Sequence, residues 1–207
     1  VGADDEQRAE NEQTQLGRAS RGRRHAGAAV AGGGTVVVGA VVVAGTVVVV
    51  GSANNTKFRR NDGPSGAVRA FDLRNGALRW SFDPLVRDAA TGYEPTPIEV
   101  GGGNNWVPMA ADSERDLLFI PTAAPAPNFW GAHRPGDNRY ANSIIALRGA
   151  TGEVVWHFQT LHHDVWDRDV GSTPILAEID RDGRKVPSVI QLVKTGMVFA
   201  FNRETGE

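Results

Sequence analysis

The stretch AFDLRNGALRW at residues 70–80 returns as ALRGATGEVVW at residues 146–156, and AFNRETG at residues 200–206 begins a third copy. In each copy a glycine follows the first alanine by six positions. Each copy predicts a strand, a tight turn and a second strand, because glycine readily adopts the positive φ that such a turn requires. Strand–turn–strand repeats that end on tryptophan are typical of β-propeller blades. We therefore predict an all-β chain with Trp80 and Trp156 at equivalent places in two successive blades, as core residues.

The composition agrees with this architecture and excludes several kinds of site. The 207 residues include 25 glycines, 11 prolines and no cysteine, with a net charge of −2. A chain of this length can bury a substantial core. The small net charge gives no general reason to bind nucleic acid. The lack of cysteine excludes disulfides and thiolate metal sites.

The two ends of the chain differ from its middle. Residues 1–27 are polar and charged without apolar periodicity, so we expect a disordered extension there. We expect a partial propeller domain over residues 28–207. Because the sequence stops inside the third copy of the repeat, we expect this domain to be truncated at its C-terminus, as in a fragment of a longer protein.

Residues 26–50 carry no charge and allow two interpretations. Their length would span a bilayer, and the arginines just before them would supply a positive flank. However, valines come in blocks separated by glycine and alanine, and leucine is absent. Such β-branched blocks favour short buried strands, with a membrane or signal-like segment as the alternative.

The stretch HHDVWDRD at residues 162–169 concentrates polar chemistry, and Lys194 follows in VKTG at residues 193–196. Two imidazoles, three carboxylates and an indole lie within these eight residues. A carboxylate in such surroundings can serve as a general base. A polar turn with a structural tryptophan is the simpler alternative. Neighbouring histidines could suggest a metal site, but adjacent side chains on a strand would point to opposite faces.

Four further blocks give these residues a family context. They are GGGNNW at 101–106, APNFWG at 126–131, RPGDNRY at 134–140 and WHFQT at 156–160. In this order and spacing the set resembles the pyrroloquinoline quinone (PQQ) dehydrogenases, above all the membrane-bound glucose and polyol dehydrogenase branch. The resemblance is dense over residues 101–207 and looser over residues 47–84. It implies an eight-bladed propeller, of which this chain would hold about three blades.

The resemblance also implies roles for individual residues. Asp167 would be the catalytic base that takes the alcohol proton while hydride passes to the quinone. Lys194 would contact the quinone oxygens, and Trp106 would stack on the flat face of PQQ. Methanol-type relatives have arginine at the position of Lys194, so the lysine favours the sugar or polyol branch. We expect these three side chains to converge on one surface, although Asp167 could instead be a turn carboxylate that caps backbone amides.

The resemblance also implies roles for the two histidines and for calcium ligands. Either histidine could position Asp167 or line the substrate pocket; because His163 is the one shared with methanol-type relatives, we assign it to catalysis beside Asp167 and His162 to the cofactor. The family holds Ca²⁺ with carboxylate and amide oxygens after an early Gly-Ser, where this chain offers only Asn54 and Asn55. We treat these two as the candidate metal ligands, with a weaker or absent calcium site as the alternative.

The resemblance implies PQQ-dependent oxidation of a sugar or polyol hydroxyl. A membrane quinone would accept the electrons, and the site would lie on the periplasmic side of the inner membrane. Two alternatives remain, a non-catalytic propeller that serves as a binding or assembly scaffold, and an inactive gene fragment. Asp167 together with Lys194 favours the enzyme, because a scaffold has no use for that pair.

Overall fold

The computed structural model describes residues 40–54, 65–85 and 100–207, and all regular secondary structure in these ranges is β. The strands are β1 (Val41–Ala44), β2 (Val47–Val50), β3 (Val68–Asp72), β4 (Leu78–Phe82), β5 (Ala110–Asp112), β6 (Leu117–Pro121), β7 (Ser143–Arg148), β8 (Val154–Gln159), β9 (Ile175–Arg181), β10 (Arg184–Leu192) and β11 (Val198–Asn202). No helix in these ranges is long and apolar enough to cross a membrane.

The described strands form three antiparallel sheets. Each sheet joins strands that are consecutive in the sequence, in the orders β1-β2-β3-β4, β5-β6-β7-β8 and β9-β10-β11. A small antiparallel sheet of consecutive strands, repeated along the chain, is the blade of a β-propeller. The prediction of an all-β partial propeller with about three blades is therefore confirmed.

The repeated sequence forms the same hairpin in the first two blades, β3–β4 and β7–β8, and the same turn after β11 in the third. Gly76, Gly152 and Gly206 have φ values of 71°, 75° and 74°, as the turn prediction requires. In β3–β4 and β7–β8 the register shifts between the first and second residues of the repeat. The two full copies therefore share a bulge as well as a turn, and local sequence determines both.

Each repeat tryptophan reaches the turn of the next copy. The Trp80 Nε1–H donates to the carbonyl oxygen of Gly149 at 2.9 Å. A Cβ on Gly152 would lie 2.6 Å from the Trp80 ring, and one on Gly206 would lie 2.8 Å from the Trp156 ring. The glycine at this position therefore allows both the positive φ of the turn and the close approach of an indole ring. The prediction that both tryptophans are structural residues in successive blades is confirmed.

Strand β6 lies between two cores because its side chains alternate in direction. Leu118 and Ile120 pack in the core between the first and second sheets. Leu117 and Phe119 pack in the core between the second and third sheets. All four side chains are buried, so β6 is the hydrophobic centre of the described structure.

The valine-rich segment forms strands where the structure describes it. Val41–Ala44 and Val47–Val50 pair as a hairpin around Gly45, whose φ is 57°. Val47 and Val49 are buried, in agreement with the strand interpretation of these blocks. The earlier valine block at 36–38 and the extension at 1–27 lie outside the described residues, so the domain boundary at residue 28 stays a prediction.

We expect Gly152→Ala to destabilise the protein more than Gly76→Ala does. Both glycines have a left-handed φ, but a Cβ at Gly76 would meet nothing within 4 Å. The backbone strain common to both variants costs about 1–3 kcal/mol. Displacement of the Trp80 ring should add about 1–3 kcal/mol to the Gly152 variant alone. Urea unfolding of both variants measures the difference, and equal losses would show that the indole does not depend on this glycine.

Candidate functional site

The segment 162–169 is an irregular loop. The expectation that His162 and His163 lie on a strand, with their side chains on opposite faces, is therefore wrong. Buried Asp164 shapes this loop. Its Oδ1 accepts the Trp166 amide at 2.8 Å, and its Oδ2 accepts the Arg168 amide at 2.7 Å. Asn142 Nδ2 donates to the same Oδ2 at 2.8 Å. With its turn closed in this way, the loop holds Asp167 in a left-handed conformation, with φ of 58°.

A fully buried arginine ties this loop to the segment 127–138. The Arg134 guanidinium donates to Asn138 Oδ1 at 2.6 Å, to the Pro127 carbonyl oxygen and to the Asp164 carbonyl oxygen. Burial lowers the pKa of Arg134 to about 10, against the opposing effect of Asp164. Arg134 therefore stays a cation at neutral pH. It is a structural centre at the start of the block RPGDNRY at 134–140, and no role was predicted for it.

Asp167 projects from the loop between an amide and an ammonium group. Its Oδ1 accepts from Asn128 Nδ2 at 3.0 Å. Lys194 Nζ lies 3.6 Å from Oδ2 and donates to the Asp167 carbonyl oxygen at 3.1 Å. The side chain is 28% exposed, so the carboxylate is held in place yet open to a reacting group.

Lys194 forms a closer ion pair with a second carboxylate. Its Nζ lies 2.8 Å from Asp169 Oδ2, and the Asp169 side chain is only 10% exposed. Burial alone would lower the pKa of Lys194, but the hydrogen bond and charge of Asp169, together with Asp167, raise it above its ordinary value. The lysine therefore carries a full positive charge throughout the neutral range.

Trp106 completes the group. Its Nε1–H donates to Asp169 Oδ2 at 3.2 Å. The preceding residue, Asn105, is buried and donates to the carbonyl oxygens of Val107 and Pro121 at 3.0 and 2.8 Å. The indole is thus fixed at its N–H edge while 39% of the residue stays exposed. An aromatic ring held in this way presents a rigid surface to a planar ligand.

The structure therefore brings together Asp167, Lys194 and Trp106, as the sequence analysis expected. It adds Asp169 and Asn128, to which the sequence analysis gave no role. Both stand inside quoted motifs, Asp169 as the last carboxylate of HHDVWDRD and Asn128 as the polar residue of APNFWG. For Asn128, a polar side chain inside an otherwise apolar and aromatic block is the signal that could have indicated it, whereas Asp169 is one of three carboxylates in a polar block and carries no such signal.

The two histidines contact the loop at 131–137. His163 Nδ1 lies 2.7 Å from the Gly136 carbonyl oxygen, and since a carbonyl only accepts, Nδ1 carries the proton. The His163 ring also packs closely on Gly131, where a Cβ would lie 2.2 Å from Nε2. Exposed His162 lies 3.3 Å from Asp137 Oδ2 through its Nδ1. The predicted catalytic role of His163 and cofactor contact of His162 stay predictions.

The described residues offer little that suits calcium. Ca²⁺ takes six to eight oxygen ligands, with carboxylates prominent among them. Asn54 uses its amide nitrogen to donate to the Ser65 carbonyl oxygen at 3.1 Å, and Asn55 lies outside the described residues. No group of three or more histidine or acidic side chains in the described ranges could hold a metal ion. The assignment of Asn54 and Asn55 as calcium ligands therefore stays a prediction.

Comparison with known proteins gives a consistent family context. The family described as "PQQ: Glucose/ethanol/alcohol dehydrogenase, beta-propeller domain" matches residues 17–207. The chain is 41% identical to the quinoprotein glucose dehydrogenase of Escherichia coli (strain K12) over 145 residues, which are 69% of this chain and 18% of that protein. It is 34% identical to the glycerol dehydrogenase large subunit of Gluconobacter thailandicus over 149 residues, 70% of this chain and 20% of that protein. The chain thus spans about a fifth of the curated relatives it matches.

Solved structures agree with the fold. A quinohemoprotein alcohol dehydrogenase from Pseudomonas putida HK5 superposes with a TM-score of 0.71 at 29% identity, covering 83% of this chain and 27% of that one. The quinohemoprotein alcohol dehydrogenase from Comamonas testosteroni gives a TM-score of 0.70 at 25% identity, over 84% of this chain and 28% of that one. In each comparison this chain matches less than a third of the solved chain.

Proposed function

Because the chain belongs to the PQQ-dependent glucose/ethanol/alcohol dehydrogenase β-propeller family, we propose that it forms part of a dehydrogenase that oxidises a sugar or polyol hydroxyl. The observation that carries the proposal is the meeting of Asp167, Lys194 and Trp106 around one ion pair. These residues are far apart in the sequence, and their convergence supports a common ligand. Similarity to a glucose dehydrogenase and to a glycerol dehydrogenase supports the sugar or polyol class.

Asp167 is the proposed general base. Oxidation of an alcohol needs a proton acceptor aligned with the hydroxyl while hydride leaves the carbon. Asn128 orients the carboxylate through Oδ1, which leaves lone pairs on both oxygens for the substrate proton.

Trp106 and Lys194 form the proposed cofactor contacts. When bound, PQQ supplies the acceptor for the hydride that leaves the alcohol carbon. The residues fit this group, since the indole offers a flat exposed surface and the ammonium offers a charge that suits an oxygen-rich anion. Lys194 would contact the quinone oxygens and would stabilise the negative charge that develops on them. His162 and His163 contact Asp137 and Gly136 of the neighbouring loop at 131–137, and their proposed roles are cofactor contact for His162 and catalysis beside Asp167 for His163.

The proposed electron acceptor and the proposed location of the site rest on the same resemblance. We propose a membrane quinone as the electron acceptor; a relative named quinate/shikimate dehydrogenase (quinone) supports a quinone in this role. We propose that the site lies on the periplasmic side of the inner membrane. Both assignments concern the whole protein, of which this chain would be one part.

We expect Lys194→Ala to weaken PQQ binding by about 10-fold or more, because a hydrogen bond to a charged group contributes roughly 1.5–3 kcal/mol. Quenching of tryptophan fluorescence by added PQQ measures affinity in the full-length protein that contains these residues. Dye-linked oxidation of glucose, glycerol and ethanol measures the substrate class in parallel. Turnover should fall together with affinity.

Lys185→Ala is the matched control, since Lys185 lies 4.0 Å from Asp180 in an exposed ion pair on a hairpin of the third sheet. Its PQQ affinity should equal that of the parent. A parent that binds no PQQ would contradict the proposed function and favour the scaffold alternative. Oxidation of ethanol alone would contradict the sugar or polyol assignment.

A further inference from the structure

We propose that Asp169 is a positioning residue, which holds Lys194 and Trp106 together in the geometry that receives the cofactor. This inference rests on the proposed function and deepens it. Asp169 would not touch the reacting atoms. It acts through the two side chains that contact its carboxylate.

The Asp169 carboxylate is fixed by the backbone on one side. Its Oδ1 accepts the Ala124 amide at 2.7 Å. The Ala124 carbonyl oxygen in turn accepts the Gly103 amide at 3.0 Å, and the Val170 amide donates to the Thr122 carbonyl oxygen at 3.2 Å. These bonds tie Asp169 to a buried backbone segment, so its second oxygen has a defined position.

That second oxygen, Oδ2, accepts hydrogen bonds from both side chains that would contact the cofactor. Oδ2 accepts from Lys194 Nζ at 2.8 Å and from Trp106 Nε1 at 3.2 Å. Gly171 packs beside the same pair, because a Cβ there would lie 3.5 Å from Trp106 Cζ2 and 3.7 Å from Lys194 Cε. A single carboxylate oxygen therefore sets the separation between an indole edge and an ammonium group.

Asp169 also determines which carboxylate forms the closer ion pair with Lys194. Lys194 Nζ lies 2.8 Å from Asp169 but 3.6 Å from the Oδ2 of Asp167. Asp169 is the more buried of the two, with 10% against 28% of its side chain exposed. Its charge therefore interacts more strongly with the ammonium group, since water screens it less. Lys194 therefore pairs with Asp169. As a result, the Oδ2 of Asp167, the proposed base, stays available to a substrate hydroxyl.

The direct test is Asp169→Asn, which retains the size of the side chain but removes its charge. One face of the new amide donates, so it cannot accept from Ala124, Lys194 and Trp106 together. In the protein without cofactor, acylation of Lys194 relative to Lys185, followed by peptide mass spectrometry, should become several-fold faster. This result is expected because loss of the ion pair both frees the ammonium group and lowers its pKa from the present raised value.

PQQ affinity of Asp169→Asn should fall by about 10-fold, within the range that contacting pairs show in double-mutant cycles. If Asp169 acts through Lys194, most of this loss should disappear when Asp169→Asn is introduced into the Lys194→Ala protein. Asp180→Asn removes the carboxylate of the exposed pair with Lys185 and should leave PQQ affinity unchanged. A merely structural role for Asp169 would instead give additive losses in the two backgrounds.

Asp169→Glu covers the case in which the amide variant does not fold, because it keeps the buried charge. Its longer side chain cannot keep all three contacts at their present distances, so an intermediate affinity is expected. Parental affinity in the Glu variant, or in a folded Asn variant, would overturn the positioning role while the proposed function stands. A parent that binds no PQQ would overturn both, so the two failures are distinguishable.

Discussion

Replacement of Asp167 by asparagine is expected to lower kcat by about 10²–10⁴-fold, the usual contribution of a general base. The amide keeps the shape of the carboxylate, and its oxygen can still accept from Asn128 Nδ2. It cannot take up the hydroxyl proton. PQQ affinity should remain close to that of the parent, because Lys194 retains its closer partner, Asp169, at 2.8 Å. Dye-linked turnover and fluorescence titration of the full-length protein measure the two effects separately.

The matched control for this prediction is Asp180→Asn. Asp180 accepts the Gly183 amide in an exposed hairpin turn, a contact that an asparagine oxygen also makes. Its kcat should equal that of the parent. If the Asp167 variant also turned over at the parental rate, Asp167 would be a turn carboxylate, and the assignment of the base would be wrong.

The hairpins were predictable from the sequence because their determinants are local. A glycine with positive φ and a tryptophan four residues later are enough to indicate the turn of a blade and its second strand. The partner of each indole was not predictable in the same way. Trp80 packs against Gly152, which belongs to the following copy, and only the stacking of two blades creates that contact.

In the candidate site, too, residues within motifs were predictable, whereas contacts between distant parts of the chain were not. Asp167, Lys194 and Trp106 were recognised because each stands in a motif that resembles a known family. Asp169 was not assigned a role, because its importance lies in three donors from distant parts of the chain, at Ala124, Trp106 and Lys194. Spacing in the sequence does not show that these donors meet at one carboxylate.

The histidines show how an irregular backbone limits such reasoning. His163 and Asp167 both have positive φ, 45° and 58°, in a loop that was treated as a strand. In such a loop the direction of a side chain does not alternate with sequence position. The ring of His163 consequently packs on Gly131, whereas Asp167 meets Asn128 and Lys194.

Loss of the buried Arg134 guanidinium is expected to destabilise the protein strongly. Arginine is rarely fully buried unless it is paired, so its place in a polar block gave no sign of this position. Arg134→Met removes the donors that serve Asn138 Oδ1 and the carbonyl oxygens of Pro127 and Asp164. It also removes the charge that faces the buried Asp164. Breaking a buried charged network from one side costs about 3–5 kcal/mol, and we expect a loss of this size in the free energy of unfolding.

Urea unfolding of Arg134→Met and of Arg79→Met measures this prediction, because Arg79 forms an exposed ion pair with Asp72 at 3.3 Å. The exposed variant should unfold close to the parental urea concentration. Arg134→Lys should fall between the parent and the methionine variant, since an ammonium keeps the charge but cannot reach three acceptors in the plane of a guanidinium. Turnover of the folded methionine variant should fall as well, because Arg134 joins the segment at 127–138 to the loop that carries Asp167. Equal stability of the Arg134→Met and Arg79→Met proteins would mean that the loop is held by the Asp164 turn alone.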